Sequence, residues 1–179
     1  MKIIAIRHCR AAGQEREAPL TKEGVLQSKD LAHFLAKYQF DRVISSPFKR
    51  AIDTIKPYAD MHDTKIKLDE RLSERILSTQ TDPDWDWKTH LERTYKEEHL
   101  KFPGGESTFE AKQRVHSLIQ ALQAAGHNSV LFVTHGNLLS LLINLYEPSF
   151  GFKEWELLSN PDVYLIDLKN NGVTNLWVS

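Results

Sequence analysis

The chain has 179 residues, of which 41% are hydrophobic and 26% charged, and this balance indicates one globular domain spanning residues 1–179. The formal net charge of −1 gives no reason to expect nucleic acid as a partner, and no apolar run approaches the ~20 residues that span a bilayer. The single cysteine, Cys9, excludes an internal disulfide and favours a reducing compartment. Because the N-terminus shows no secretory signal pattern, we expect a cytoplasmic protein without a membrane partner; no feature of the sequence sets an oligomeric state.

The first third of the chain alternates apolar runs with amphipathic segments. Residues 2–6 form an apolar, largely β-branched run that predicts a strand buried on both faces, and residues 41–46 predict a second strand. Between them, Thr21 is a candidate helix N-cap, because apolar residues follow it at helical spacing. Pro47 suits the first turn of a second helix, which we expect over residues 48–61.

The remaining elements continue this alternation. They are a strand at residues 66–68, a polar and aromatic segment with some helix at 78–102, a helix from Glu106–Ser107 to about Ala125, a buried strand at 130–134, a helix at 137–146, and strands at 163–168 and 173–178. Asn171–Gly172, between the last two strands, predicts a β-hairpin. The sequence therefore predicts a single three-layer α/β/α domain with a mainly parallel central sheet and an antiparallel edge hairpin.

Polar residues follow four of the predicted strands at their carboxyl ends. Arg7 and His8 directly follow the first strand, and Arg50 lies about one turn into the helix after the second. Glu74 comes after the third strand and His135 after the fourth. Because parallel strands end at the same edge of a sheet, where ligands of such folds bind, we expect these side chains to converge.

The residue types at this edge indicate a phosphate ligand. Arg7 and Arg50 each present a planar fork of donors that matches phosphate oxygens. The helix that follows His135 should point its N-terminal N–H groups at the same crevice, which makes its start a ready anion site. A neutral His8 can attack phosphorus, and the neighbouring arginines disfavour its protonated form. Glu74 fits as the general acid that protonates the departing oxygen.

Five segments, taken in order, resemble the histidine phosphatase superfamily of phosphoglycerate-mutase-like enzymes. They are Arg7–His8, residues 45–51 with Thr54, residues 72–74, residues 103–107 and residues 133–136. The resemblance implies that His8 is the phosphorylated nucleophile and that Glu74 is the proton donor. The phosphate pocket that it implies consists of Arg7, Arg50 and His135. Gln14 falls where many members place a phosphate-contacting asparagine, and we include Gly136 among the substrate-binding residues.

We therefore expect a metal-independent phosphatase that needs no cofactor and hydrolyses small phosphorylated metabolites through a phosphohistidine. One alternative is a mutase that uses the same intermediate. Another is a catalytically weak phosphate-binding member, because Cys9 stands where the family usually has glycine. A metalloenzyme is a more distant alternative. It is considered because two histidines and one carboxylate (His8, His135 and Glu74) are a known metal-binding set.

Two further assignments stay open in the sequence. Glu70 and Glu106 are the next candidates for the acid if Glu74 does not have that role. Trp85 and Trp87 form either a lid over the substrate or a local hydrophobic cap.

Overall fold

Strands and helices alternate along residues 1–80 and 82–177, the part of the chain that the computed structural model describes. The strands are β1 (Lys2–Arg7), β2 (Arg42–Ser45), β3 (Ile66–Leu68), β4 (Ser129–Thr134), β5 (Asp162–Asp167) and β6 (Gly172–Asn175). The helices are α1 (Lys22–Leu35), α2 (Lys49–Met61), α3 (Trp87–Lys96), α4 (Thr108–Ala124), α5 (Gly136–Asn144) and α6 (Phe152–Glu156). A single 3₁₀ turn, Glu70–Leu72, follows β3.

The strands form one mixed sheet in the order β3-β2-β4-β1-β5-β6. The first four of these are parallel, whereas β5 is antiparallel to β1 and to β6, which confirms the predicted sheet with its antiparallel edge. Arg7 at the end of β1 lies opposite Thr134 at the end of β4. Arg7–His8 and His135 therefore leave the sheet side by side.

Apolar side chains cover both faces of the sheet, as expected for central parallel strands. Ile3 and Ala5 of β1 belong to a core cluster with α4 and α5, whereas Ile4 and Ile6 belong to a second cluster with α1 and α2. Alternate residues of one strand thus pack against different helical layers. The predicted three-layer α/β/α arrangement is confirmed.

The local signals in the sequence set several element boundaries. The Thr21 hydroxyl accepts the N–H of Gly24 at 3.0 Å at the start of α1. Ser107 and Glu110 cap one another's backbone at the start of α4, forming a capping box. Asn171 adopts a left-handed φ of 47° in the turn between β5 and β6, which confirms the hairpin.

Helix α6 is the element that the sequence analysis missed, because its five residues between Gly151 and Leu157 are too short to show a helical period. The last predicted strand is shorter than expected, since β6 ends at Asn175 and Val178 lies outside the described residues. Within residues 1–80 and 82–177, no helix combines the length and the apolarity that crossing a membrane requires.

Candidate active site

His8 lies directly after β1 and is 8% exposed. Its Nδ1 is 2.7 Å from the carbonyl oxygen of Cys9, and the Nε–H of Arg50 donates to its Nε2 at 3.1 Å. These two bonds assign the proton to Nδ1 and leave the lone pair on Nε2. Burial lowers the pKa of His8 to about 4; the bond to the Cys9 carbonyl opposes this shift, while the charges of Arg50 and Arg7 add to it. The imidazole is therefore neutral near pH 7, as nucleophilic attack requires.

Arg50 holds the loop that follows β1 as well as the His8 ring. It is 1% exposed, and its Nη1 donates to the carbonyl oxygens of Gln14 at 3.0 Å and Glu15 at 2.9 Å. Burial lowers the pKa of Arg50, and the carboxylates of Glu74 and Glu15 oppose that shift. The structure thus brings Gln14 to the site through its backbone carbonyl, while the residue itself is exposed. Phosphate contact by the Gln14 side chain stays a prediction.

His135 follows β4, and its ring centroid lies 5.1 Å from that of His8. Its Nε2 is 2.8 Å from the hydroxyl oxygen of Ser46, whereas its buried Nδ1 has no hydrogen-bond partner within the described residues. Burial lowers the pKa of His135 well below the ordinary value, and the charge of Arg50 lowers it further. If Nε2 accepts from Ser46, then Nδ1–H is a buried donor that a phosphate oxygen can satisfy.

Arg7 reaches the same place from β1. Its Nη1 donates to the carbonyl oxygen of Leu158 at 2.6 Å, and its buried Nε has no partner among residues 1–80 and 82–177. A Cβ at Gly136 would lie 3.1 Å from both Nε and Cζ of Arg7, so glycine lets the guanidinium approach the start of α5. Arg7 Nε and His135 Nδ1 are therefore two unsatisfied donors carried by neighbouring segments, and together they suit an anion.

Glu74 binds the start of α5. Its Oε2 accepts the N–H of Asn137 at 3.1 Å, and its Oε1 accepts the N–H groups of Leu138 at 3.0 Å and Arg75 at 2.9 Å. The sequence analysis expected an anion site at this helix start, and the anion that the N–H groups of Asn137 and Leu138 bind in the structure is the Glu74 carboxylate. The three bonds fix the orientation of the carboxylate at the start of α5.

The turn that carries Glu74 is held by Arg114 of α4, a residue that the sequence analysis did not identify. Arg114 donates to the carbonyl oxygens of Arg71 at 2.7 Å and Ser73 at 2.9 Å. The same guanidinium binds both carboxylate oxygens of Glu106, at 2.6 and 2.9 Å. The available signal was a charged residue at helical spacing from the buried Ala111 and Leu118.

The sequence analysis also did not identify two further residues that position the site. Thr54 accepts the N–H of Cys9 at 2.9 Å and donates to the carbonyl of Arg50 at 2.7 Å, which joins the loop after β1 to α2. Asn160 donates from Nδ2 to the carbonyl oxygen of His8 at 2.7 Å. Thr54 was part of a quoted motif, whereas nothing near Asn160 in the sequence marks it.

The competing acids have other partners. Glu70 is exposed and forms an ion pair with Arg16, and Glu106 is bound by Arg114 as described. The charge of Glu74, by contrast, acts on both phosphate-pocket arginines, since it opposes the lowering of their pKa values by burial. Glu74 is thus the carboxylate best placed toward Arg7 and Arg50.

The remaining open points concern the two tryptophans and a metal. Trp85 stacks on His90 with centroids 4.0 Å apart and packs edge-on against Phe102, so it belongs to a local hydrophobic cap. Trp87 instead lies beside Arg7, lining the same cavity. Among the described residues, His8, His135 and Glu74 do not form a cluster that could hold a metal ion.

Known structures resemble the fold over nearly its whole length. A mycobacterial glucosyl-3-phosphoglycerate phosphatase, solved with inorganic phosphate, superposes with a TM-score of 0.77 at 22% identity, covering 99% of this chain and 97% of that one. A phosphoserine phosphatase variant from Entamoeba histolytica gives a TM-score of 0.75 at 20% identity, covering 98% and 95%. These likenesses show a common fold.

Sequence relatives carry related names. A putative phosphoserine phosphatase of Hydrogenobacter thermophilus is 26% identical over 98% of this chain and 88% of its own length. A probable phosphoglycerate mutase of Escherichia fergusonii is 29% identical over 75% of this chain and 66% of its own length. The family description "Histidine phosphatase superfamily (branch 1)" matches residues 3–178. Since that match spans nearly the entire sequence, the chain belongs to the histidine phosphatase superfamily.

Proposed function

We propose that the protein is a phosphatase that hydrolyses small phosphomonoesters through a phosphohistidine on His8. The observation that carries the proposal is the state of the His8 ring, which is neutral, protonated at Nδ1 and in contact through Nε2 with Arg50. Arg7 and His135 supply unsatisfied donors beside it. Phosphoryl transfer depends mainly on such positioning and charge stabilisation, which this arrangement provides without a cofactor.

In the first step, Nε2 of His8 attacks phosphorus, and the bond between phosphorus and the ester oxygen breaks. The non-bridging oxygens are held by Arg7, Arg50 and His135, which offset the charge of the transferring group. Glu74 in its protonated form donates a proton to the departing oxygen, so the product leaves as an alcohol.

In the second step, water attacks the phosphorus of the phosphohistidine. Glu74, left ionised by the first step, accepts a proton from that water, and His8 is released with its lone pair restored. The three backbone N–H groups that bind Glu74 hold its carboxylate in one orientation during this step.

The intermediate can be tested directly. After incubation with a ³²P-labelled phosphodonor and rapid quench, the protein should carry acid-labile, base-stable label. His8→Ala should lose both the label and turnover, whereas His33→Ala, at an exposed position of α1, should retain both. Normal hydrolysis by His8→Ala would contradict the proposal.

A mutase is the second candidate, because relatives from Escherichia and Yersinia bear that name. A mutase must shield its phosphohistidine from water while an intermediate reorients, which calls for a closed pocket. The segment between Glu74 and Pro103 is short for such a cover, and Trp85 packs on its own segment rather than over His8. With 3-phosphoglycerate and a bisphosphate primer, we therefore expect free phosphate and no 2-phosphoglycerate. Isomer formation faster than phosphate release would favour the mutase.

A weak phosphate-binding member is the third possibility, raised by Cys9. The Cys9 side chain is fully buried in the core cluster under α1 and α2, and burial raises its pKa to about 12. It therefore points away from the ring that it follows in sequence and leaves the donors of Arg7, Arg50 and His135 in place. Binding of vanadate without any turnover of phosphomonoesters would support the inactive alternative.

A further inference from the structure

A surface cavity of about 410 Å³ adjoins the phosphate pocket. Besides Arg7, its lining consists of Trp87, Lys88, Trp155, Glu156, Leu158 and Asn160. Three lining residues connect the cavity to the candidate active site. Arg7 belongs to the proposed phosphate pocket, the Leu158 carbonyl accepts from Arg7, and Asn160 donates to the backbone of His8. The cavity is therefore placed where the alcohol part of a phosphomonoester would lie, and its volume suits a small organic group.

Two indole rings form the apolar part of this cavity. Trp87 comes from α3 and Trp155 from α6, and their ring centroids are 6.3 Å apart at an interplanar angle of 88°. Trp155 is fixed by the Phe152 ring, 5.3 Å away, whereas Trp87 is 53% exposed. An exposed tryptophan at the edge of a cavity has an uncovered face on which a second ring can pack.

The charges around the cavity argue against a second anionic group on the substrate. Lys88 and Glu156 form an ion pair with each other across α3 and α6, which leaves little net charge at the outer wall. Arg7 is the remaining cation in the lining, and it faces the phosphate pocket. A leaving group with its own carboxylate or phosphate would have no separate cation here, whereas an uncharged ring would meet indole faces.

We propose that Trp87 and Trp155 form a subsite for an uncharged aromatic or heteroaromatic ring carried by the leaving alcohol of the substrate. This inference rests on the proposed phosphatase function and names its substrate class. The ring would pack against the indoles while the phosphate occupies Arg7, Arg50 and His135. The ion pair between Lys88 and Glu156 would hold α3 and α6, and hence the two indole rings, in fixed relative positions.

The test compares two alkyl esters with similar leaving-group chemistry, 2-phenylethyl phosphate and n-propyl phosphate. The wild-type kcat/KM should be about ten-fold or more higher for the phenylethyl ester, because one ring gains stacking contacts. Trp87→Ala and Trp155→Ala should each bring this ratio close to unity without a comparable loss on the propyl ester. Trp85→Ala is the matched control, since it removes a tryptophan that packs on His90 and should leave the ratio unchanged.

The outcomes separate the subsite from the phosphatase activity. A wild-type ratio near unity, or a ratio unchanged in Trp87→Ala, overturns the subsite while leaving the phosphatase intact. Because Trp87 is half-exposed, its variant should fold even if Trp155→Ala does not. If neither ester is turned over, the proposed function fails, and the subsite is then judged by calorimetric binding of the same two esters. In that case the phenylethyl ester should bind about ten-fold more tightly in wild type and lose this advantage in Trp87→Ala.

Discussion

The Nε–H of Arg50 donates to Nε2 of His8 across 3.1 Å, so the guanidinium fork directly contacts the ring nitrogen that we propose as the nucleophile. The same guanidinium is anchored through Nη1 to the carbonyls of Gln14 and Glu15. This geometry uses the shape of the fork, because one edge holds the loop and the other meets the ring. A lysine has the charge but cannot form both contacts.

Arg50→Lys should therefore reduce kcat/KM nearly as much as Arg50→Ala, by about 10²-fold or more. Steady-state kinetics on a phosphomonoester measures the effect. Arg16→Lys is the control, since Arg16 is exposed and pairs with Glu70 outside the phosphate pocket. If Arg50→Lys keeps most of the activity, Arg50 supplies only a general positive field.

The His8 ring should remain neutral through mildly acidic pH. Its pKa of about 4 lies below the ordinary value, so the ring stays deprotonated at Nε2 as the pH falls from 7 to 5 and gains its proton only near pH 4. Nuclear magnetic resonance of the ring nitrogens, assigned with His8→Gln, measures this directly. Arg50→Met should move the midpoint upward, because the Arg50 charge disfavours imidazolium. A wild-type midpoint near 6.5 contradicts the prediction.

The same shift makes a folding prediction with a definite sign. A histidine with a lower pKa in the folded state than in the unfolded state binds fewer protons when folded. Its contribution to stability is present above pH 6.5 and is lost as the pH falls from about 6.5 to about 4. In that window, His8→Gln should flatten the pH dependence of the free energy of unfolding, measured by urea titration.

Glu74→Gln should slow alkyl phosphates far more than p-nitrophenyl phosphate, because a poor leaving group needs the proton and a good one does not. The expected difference between the two substrates is on the order of 10²-fold. Glu70→Gln is the matched control and should affect both substrates little. Equal losses on both substrates in Glu74→Gln would move the acid role to Glu70 or Glu106. A thermal melt accompanies the kinetics, since the amide cannot accept all three N–H groups that Glu74 binds.

Gly136→Ala tests the close approach of Arg7 to α5. The added Cβ would lie 3.1 Å from Nε and Cζ of Arg7, so the guanidinium must shift by a few tenths of an ångström. We expect kcat/KM to fall about ten-fold, mainly through weaker phosphate binding, with a small change in Tm. Gly172→Ala is the control, because a Cβ there meets nothing within 4 Å. Equal kinetics in the two variants would show that the Arg7 guanidinium can accommodate the added Cβ without loss of function.

The sequence predicted the features that follow from strand order and local signals. The convergence of Arg7, His8, Arg50 and His135 could be predicted because each residue ends a strand, directly follows one or lies in the first turn of the next helix. The helix caps at Thr21 and Ser107 could be predicted because capping depends on residues within one turn. All these inferences use contacts that are short in sequence or fixed by parallel pairing.

The contacts that orient those side chains could not be predicted from the sequence. Asn160 reaches His8 across 152 positions, and Arg114 reaches the turn before Glu74 across 41 to 43 positions. No local pattern specifies such pairs, since they arise when α4 and the segment before β5 pack against the sheet. The bond from Glu74 to α5 was missed for the same reason, and an acidic residue on a turn gave no sign that it caps a distant helix.

The central place of β1 in the sheet has a consequence for how the protein is made. The strand that carries Arg7 and leads to His8 leaves the ribosome before β4 and β5, yet it pairs with both of them, at residues 129–134 and 162–167. Arg7 also needs the Leu158 carbonyl, and His8 needs Asn160. Because synthesis adds only about 5–20 residues per second, His8 waits about 8 to 30 seconds for Asn160, which lies 152 positions later. The proposed site is therefore expected to assemble only after Asn160 and β5 have emerged.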